Sequence, residues 1–403
     1  MTSETEAQSL ARSDIAGFAS KQPDTKPRRT LFIAGLAHAL HDGFTDLIYV
    51  MLPVWQAEFA LSYGAVAALR GLYAGAMASL QVPSGFLTRR FGGRAILALG
   101  TALAAAGYTT AGLSGGLIGV CIALFISGAG SSTQHPIASA AVARAYGAAA
   151  RGPLGTYNFA GDLGKAAVPA AVSVLLLVMS WRHTLISISL VGFAVAAIVA
   201  MFMPPIGRPV VSEKAVKTGK GRGGFGLLLT IGILDTGVRM GLLTFLPFLL
   251  RDKGAELPTI GLALALVFVG GAFGKIICGP LGARFGVVPT VIATEGGTAA
   301  AILALLVLPL TATLVMLPLL GAMLNGTSSV LYGTVPELAR PDKTEHAFAL
   351  FYTGTIGSGA IAPVIFGVFG DFVGVRWATV AIALSAIAIF PVVLLLSPRL
   401  AAR

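Results

Sequence analysis

Residues 85–92 read Gly-Phe-Leu-Thr-Arg-Arg-Phe-Gly, and residues 279–286 read Gly-Pro-Leu-Gly-Ala-Arg-Phe-Gly. The two stretches share Gly, Leu, Arg, Phe and Gly at matching places, 194 residues apart. Other landmarks keep the same offset. Leu52-Pro53 matches Leu246-Pro247, Pro169 matches Pro363, and Arg182 matches Arg376. One offset carried through so many landmarks makes the chain a tandem repeat.

The material between the landmarks is apolar. Of 403 residues, 56% are hydrophobic and 11% charged, and the mean hydropathy is +0.85. A soluble domain carries about 25% charged residues, so a soluble enzyme, a disulfide scaffold and a disordered chain are excluded. A helix needs about 20 apolar residues to cross a bilayer. Twelve segments qualify, near 31–55, 64–87, 94–113, 116–142, 153–178, 183–203, 225–250, 258–282, 287–308, 311–335, 346–370 and 375–397. The expected organisation is a polar tail over 1–30, a six-helix bundle over 31–203, a basic linker over 204–224, a second six-helix bundle over 225–398 and a short tail over 399–403. The class is an all-α membrane protein of twelve transmembrane helices in two pseudo-symmetric bundles. Two halves with an even number of spans share one topology, and a path between them runs near the midplane.

Charge placement orients this map. With the N-terminus in the cytoplasm, 20 of the 28 Lys and Arg fall in inside segments. Only Arg182, Arg251, Lys253 and Arg376 fall outside, and Arg70, Lys165, Arg239 and Lys275 lie within spans. Inside loops collect Lys and Arg, so both termini are placed in the cytoplasm of a bacterial-type inner membrane. The net charge of +11 then needs no nucleic acid. The partners expected are the bilayer, protons and a small-molecule substrate, with a monomer as the working unit. Cys121 and Cys278 have no metal-site spacing. No phosphate-binding loop and no metal-ligand motif occurs, so no cofactor, no metal and no enzymatic site are expected.

Ionisable groups within spans are costly in lipid and are functional by default. His38, Asp42 and Asp46 recur every fourth residue on one face of the first span, with Thr45 and Tyr49 nearby. A carboxyl there that can be neutral or charged suits proton coupling, and static pairing with a base such as Arg70 is the alternative. His41 lies off that face and reads as structural. Arg70 suits an anion or a carboxylate, or else reaches out toward the surface. Gln134-His135-Pro136 loosens the fourth span near mid-membrane, and His135 either relays protons, contacts substrate or packs. In the fifth span Tyr157, Asn158, Asp162 and Lys165 either line the cavity or, for Asp162 and Lys165, close a local bridge. Asp235 and Arg239 suit an internal pair or a gate. Lys275 and Glu295 are expected to reach toward the membrane surface. Asn325 and Tyr352 suit substrate hydrogen bonds or interhelical contact. Proton coupling is thus expected in the first half and substrate selectivity in the second.

Twelve spans, a basic linker after the sixth and the paired loops resemble the major facilitator superfamily. Gly85, Leu87, Arg90, Gly92 and Arg94 fit its loop motif, as do Gly279, Arg284 and Gly286. The acidic position of that motif holds Arg89 in one half and Ala283 in the other, so the family's charge-paired latch is either lost here or built from other residues. His41-Asp42 in span one, His135-Pro136 in span four and the Gly-rich fifth span are similar to the fosmidomycin-resistance branch of drug exporters. That resemblance implies an antiporter for efflux, with the coupling role on Asp42. Uptake of an organic anion by the same machinery remains the alternative.

Overall fold

The computed structural model describes residues 25–206, 223–339 and 344–400. Most of the expected tails and linker lies outside the described residues, as do Arg340 and Lys343. The helices are α1 Thr25–Phe59, α2 Tyr63–Phe91, α3 Gly93–Leu113, α4 Leu117–Ser131, α5 Gln134–Tyr146, α6 Arg151–Leu175 and α7 Trp181–Phe202 in the first half. The second half holds α8 Phe225–Asp252, α9 Leu257–Phe285, α10 Val287–Leu305, α11 Leu310–Leu338, α12 Thr344–Val373, α13 Val375–Ile387 and α14 Ile389–Leu396. No strand occurs among the described residues. The pairs α4–α5 and α13–α14 each form one interrupted span, which gives twelve. Ten of these are long and apolar enough to cross a membrane. The other two, α1 and α6, carry the main ionisable cluster.

The repeat is visible in the backbone. Helices α2 and α9 begin and end 194 residues apart, as do the starts of α3 and α10 and of α7 and α13. The second glycine of each loop motif has a local reason. Gly92 and Gly286 have φ of +86° and +91°, a region that a Cβ disfavours. Each ends one helix and turns the chain straight into the next. The fourth span breaks at Ser132 and Thr133 rather than at the His-Pro step. Pro136 then falls in the first turn of α5, where its missing N–H leaves no helical acceptor unfilled.

Within the halves, α1 packs on α6, α3 on α7 and α9 on α11. Small residues permit this closeness, as in other lipid-embedded bundles. A Cβ on Gly164 would collide with the backbone of Ala39, and one on Gly321 with that of Val267.

Between the halves, α2 packs on α12 and α6 on α9, and both pairs splay. Gly64 and Gly71 of α2 leave no room for a Cβ against α12, whereas Gly75 and Gly85 face open space. On α12, Gly367 is tight against Tyr63 while Gly357 is open. Gly261 of α9 is tight against Ser173, while Gly279 is open. The halves therefore meet at the end away from the linker and part toward the linker end.

The closed end is held by polar contacts across the halves. Tyr63 N and Gly64 N, at the start of α2, donate to the two oxygens of Asp371 on α12 at 2.6 and 3.0 Å. A carboxylate there satisfies two orphan donors and faces the positive end of the helix dipole. Arg251 donates to the carbonyl of Pro53 at 3.4 Å, and Tyr63 stacks edge-on against Phe245 and Phe248. Losing a helix cap costs about 1 kcal/mol, roughly a fivefold shift in a two-state balance. Asp371→Ala should therefore open this end. Ser173 is 1% exposed. In a background lacking Cys121 and Cys278, Ser173→Cys should resist a membrane-impermeant maleimide, and adding Asp371→Ala should make it label faster.

Candidate functional site

The densest polar cluster lies where α1 meets α6. His38, Asp42 and Asp46 share one face of α1 and are 4%, 5% and 6% exposed. Gly161 of α6 lies so close that a Cβ would strike both His38 and Asp42. His38 stacks on the ring of Tyr157, centroids 4.1 Å apart, and its Nδ1 lies 2.9 Å from the Tyr157 carbonyl. Lys165 reaches Asp42 at 3.2 Å. His41 joins this cluster rather than standing apart, with Nε2 at 3.8 Å from Asp42. His135, at the start of α5, sets its ring edge-on to both His38 and His41.

The cluster continues across the halves through Asp162. One of its oxygens takes Lys165 at 3.5 Å and Lys275 at 2.6 Å. The local bridge read from the sequence exists, but Asp162 also binds a lysine of the other half. Lys275 therefore does not reach for the membrane surface. Its position near the end of α9 suggested that course, but a buried carboxylate on the facing helix offers a stronger partner than the interface.

Arg70 is 4% exposed, so it does not reach the surface either. Its guanidinium lies over the rings of Tyr49 and Tyr73, at 5.3 and 5.8 Å. Nε and Nη1 have no hydrogen-bond partner. No carboxylate lies within ion-pair distance of it among the described residues. Asp46 likewise has no ion pair, whereas Asp42 has Lys165. The two carboxyls that the sequence treats alike are thus separated by their surroundings. Tyr49 spans the halves, its hydroxyl donating to Met240 Sδ at 3.3 Å.

The second half is not merely neutral. Arg239 pairs with Asp235 at 3.5 Å and donates to Ser328 at 2.8 Å, Thr236 at 3.3 Å and Asn325 at 3.5 Å. Ser328 in turn donates to Asp235 at 3.2 Å. Glu295 is 2% exposed, which corrects the expectation that it reaches outward. Its helix, α10, packs on α11, and the neighbouring Thr294 bonds Thr327 at 2.6 Å. Burial of this carboxyl was invisible along the chain, because the helix that covers it is a different one from its own.

Gln134 is buried with Nε2 unpartnered. Asn158 is exposed, and Tyr352 is 49% exposed, its ring 5.0 Å from that of Tyr332. At the linker end, Arg90 and Arg284 lie over Phe91 and Phe285 of their own helix ends. Arg94 donates to the Met203 carbonyl at the close of α7, at 3.5 Å.

Two six-span halves, closed at one end, parted at the other and joined by the Lys275–Asp162 ion pair, define a membrane carrier. The chain belongs to the Major Facilitator Superfamily, whose model matches residues 32–230 and 227–403. It is a multi-pass membrane transporter, not an enzyme. It is 23% identical to the fosmidomycin resistance protein of Escherichia coli (strain K12) over 380 residues, covering 90% of this chain and 91% of that one. Its fold is similar to that of a bacterial homolog of the human lysosomal transporter Spinster, solved inward-facing and occupied. The TM-score is 0.80, with 16% identity, 94% of this chain and 98% of that one covered. A POT family transporter in complex with a thioalcohol-conjugated peptide matches with TM-score 0.76 and 12% identity, covering 92% of this chain and 96% of that one.

The shared carboxylate gives an ordering of variants. Asp162→Asn leaves two ammonium groups facing each other, whereas Lys275→Gln leaves Asp162 with Lys165. Thermal unfolding in detergent should show the larger loss for Asp162→Asn. The double variant should lose less than the sum, with a coupling of about 0.5–3 kcal/mol.

Proposed function

We propose that the chain is a proton-driven exporter of a small anionic compound, working by alternating access in a bacterial-type inner membrane. Both termini lie in the cytoplasm, and a monomer suffices. The observation that carries this reading is Arg70. A buried guanidinium with no carboxylate within ion-pair distance is costly, and a substrate anion would complete it. Tyr49 carries Arg70 on its face and touches Met240, next to Arg239, so an anion at this point would meet one arginine from each half. Asn325 and Ser328 supply further hydrogen bonds beside Arg239.

Asp46 is assigned the coupling proton. It is a buried carboxyl whose charge can change without breaking an ion pair, and it sits one turn from Asp42 and on the same helix as Tyr49. Asp42, Lys165, Asp162 and Lys275 form the chain of charges that ties the first half to the second. Export is favoured over uptake by the fosmidomycin resistance relative. The abundance of Lys and Arg in the linker-side segments supports a cytoplasmic linker end, so the parted end would admit substrate from inside the cell.

Proteoliposomes with an imposed pH gradient and an internal pH dye test this. Fosmidomycin and other phosphonates are the first probes. The wild-type carrier should move protons opposite to the substrate. Asp46→Asn should keep substrate exchange and lose substrate-linked proton movement. Arg70→Gln should weaken apparent affinity by about tenfold or more, since hydrogen bonds to a charged group contribute about 1.5–3 kcal/mol. Protons moving with the substrate would make the carrier an uptake system. No proton movement with any transported compound would overturn proton coupling.

A further inference from the structure

Three imidazoles and one carboxylate meet in the first half. His38, His41 and Asp42 come from α1, and His135 comes from α5. Their chemistry can be read from one hydrogen bond. The Tyr157 carbonyl can only accept, so the His38 Nδ1 that faces it carries the hydrogen. A neutral His38 then presents a lone pair at Nε2. That atom is buried and has no hydrogen-bond partner, although the nearer Asp42 oxygen is only 3.4 Å away. Ring N–H held by a backbone carbonyl, with the other nitrogen free and pointed at a carboxylate, is how metal-binding histidines are oriented.

The donor atoms of His38, Asp42 and His135 lie within 4.8 Å of one another. We propose that these three residues, with His41 beside them, bind one first-row divalent transition-metal ion of the zinc type. Imidazole and carboxylate donors suit zinc, nickel, cobalt and copper. Zinc is held at about 2.0–2.2 Å by such ligands, so His135 must close on the other two. It is exposed, which leaves the cluster one open side for entry and gives this ring room to move. The charged group that opposes the ion is Lys165, 3.2 Å from Asp42. A bound ion would take Asp42 from Lys165 and leave that lysine to Asp162. The site was invisible along the chain because its third ligand comes from another span. It does not depend on the transported substrate, on the direction of transport or on Asp46.

The test uses the full chain, purified in detergent with its affinity tag removed, and titrated calorimetrically with zinc chloride. One ion should bind per chain. His135→Ala should weaken binding by at least about tenfold, the lower bound seen even for residues that only orient ligands. Lys165→Gln should tighten it, by removing the competing cation. His183→Ala, at an exposed histidine bonded to Ser180, should bind as the parent does. Cobalt supplies a readout independent of heat: a visible d–d band that appears on binding to the parent and is lost in His135→Ala. Absence of a saturable one-to-one event, or a His135→Ala variant that binds zinc as tightly as the parent, would overturn the proposal.

Discussion

A charge placed in the hydrocarbon interior must find an opposite charge, and this constraint arranges the protein. Each ionisable side chain near the bilayer centre costs about 2.5–3.5 kcal/mol on insertion. This chain carries Asp42, Asp46, Arg70, Asp162, Lys165, Asp235, Arg239, Lys275 and Glu295 within its spans. Most answer one another. Lys165 joins two carboxylates of its own half, and Lys275 crosses from the second half to share Asp162. These bonds fix how α1, α6 and α9 stand relative to one another. The glycines of α6 then follow as a requirement, since α1 must come close enough for His38 to reach Tyr157 and Asp42 to reach Lys165. Arg70, Asp46 and Glu295 are left without ion pairs, and the first two are where the proposed substrate and proton have most to offer.

The same molecule is asymmetric from end to end. At the end away from the linker, Asp371 caps α2 across the halves, and glycines let α2 lie on α12 and α9 on α6. At the linker end, the matching glycines face open space. The buried charges lie between these two regions. A carrier must close one end as it opens the other, so contacts that bridge the halves have to be breakable. Backbone caps and ion pairs satisfy that condition, whereas deeply interdigitated apolar packing would not.

Much of this was legible in the sequence, and the reasons are specific. The 194-residue offset came from landmarks such as the stretches 85–92 and 279–286, and it reappears in the helix ends because the last glycine of each stretch, Gly92 and Gly286, closes a helix. The α1 face was legible because His38, Asp42 and Asp46 keep helical spacing. The failures share one cause. Lys275 and Glu295 were judged by their distance from the end of their own helix, which is a one-dimensional measure. What decides their course is the carboxylate on α6 in one case and the packing of α10 on α11 in the other. His41 was set aside because it points away from the Asp42 face, yet α5 brings His135 to that side. The alternative in which Arg70 reaches the surface rested on depth alone, and its aromatic neighbours Tyr49 and Tyr73 are what keep it inside.

The central claim is that the two halves rock about the buried charges, with one end closed when the other is open. Pulsed electron spin resonance distances test it directly. One label pair, at Arg90 and Arg284, reports the linker end. A second, at Leu113 and Val307, reports the other, and both residues of that pair are exposed. Each pair occupies matching repeat positions. Measured in lipid nanodiscs across a pH series, with and without fosmidomycin, the two distances should change in opposite directions. The Arg90–Arg284 distance should shorten in the conditions where Leu113–Val307 lengthens. Distances that rise and fall together, or that stay fixed under every condition, would contradict the account.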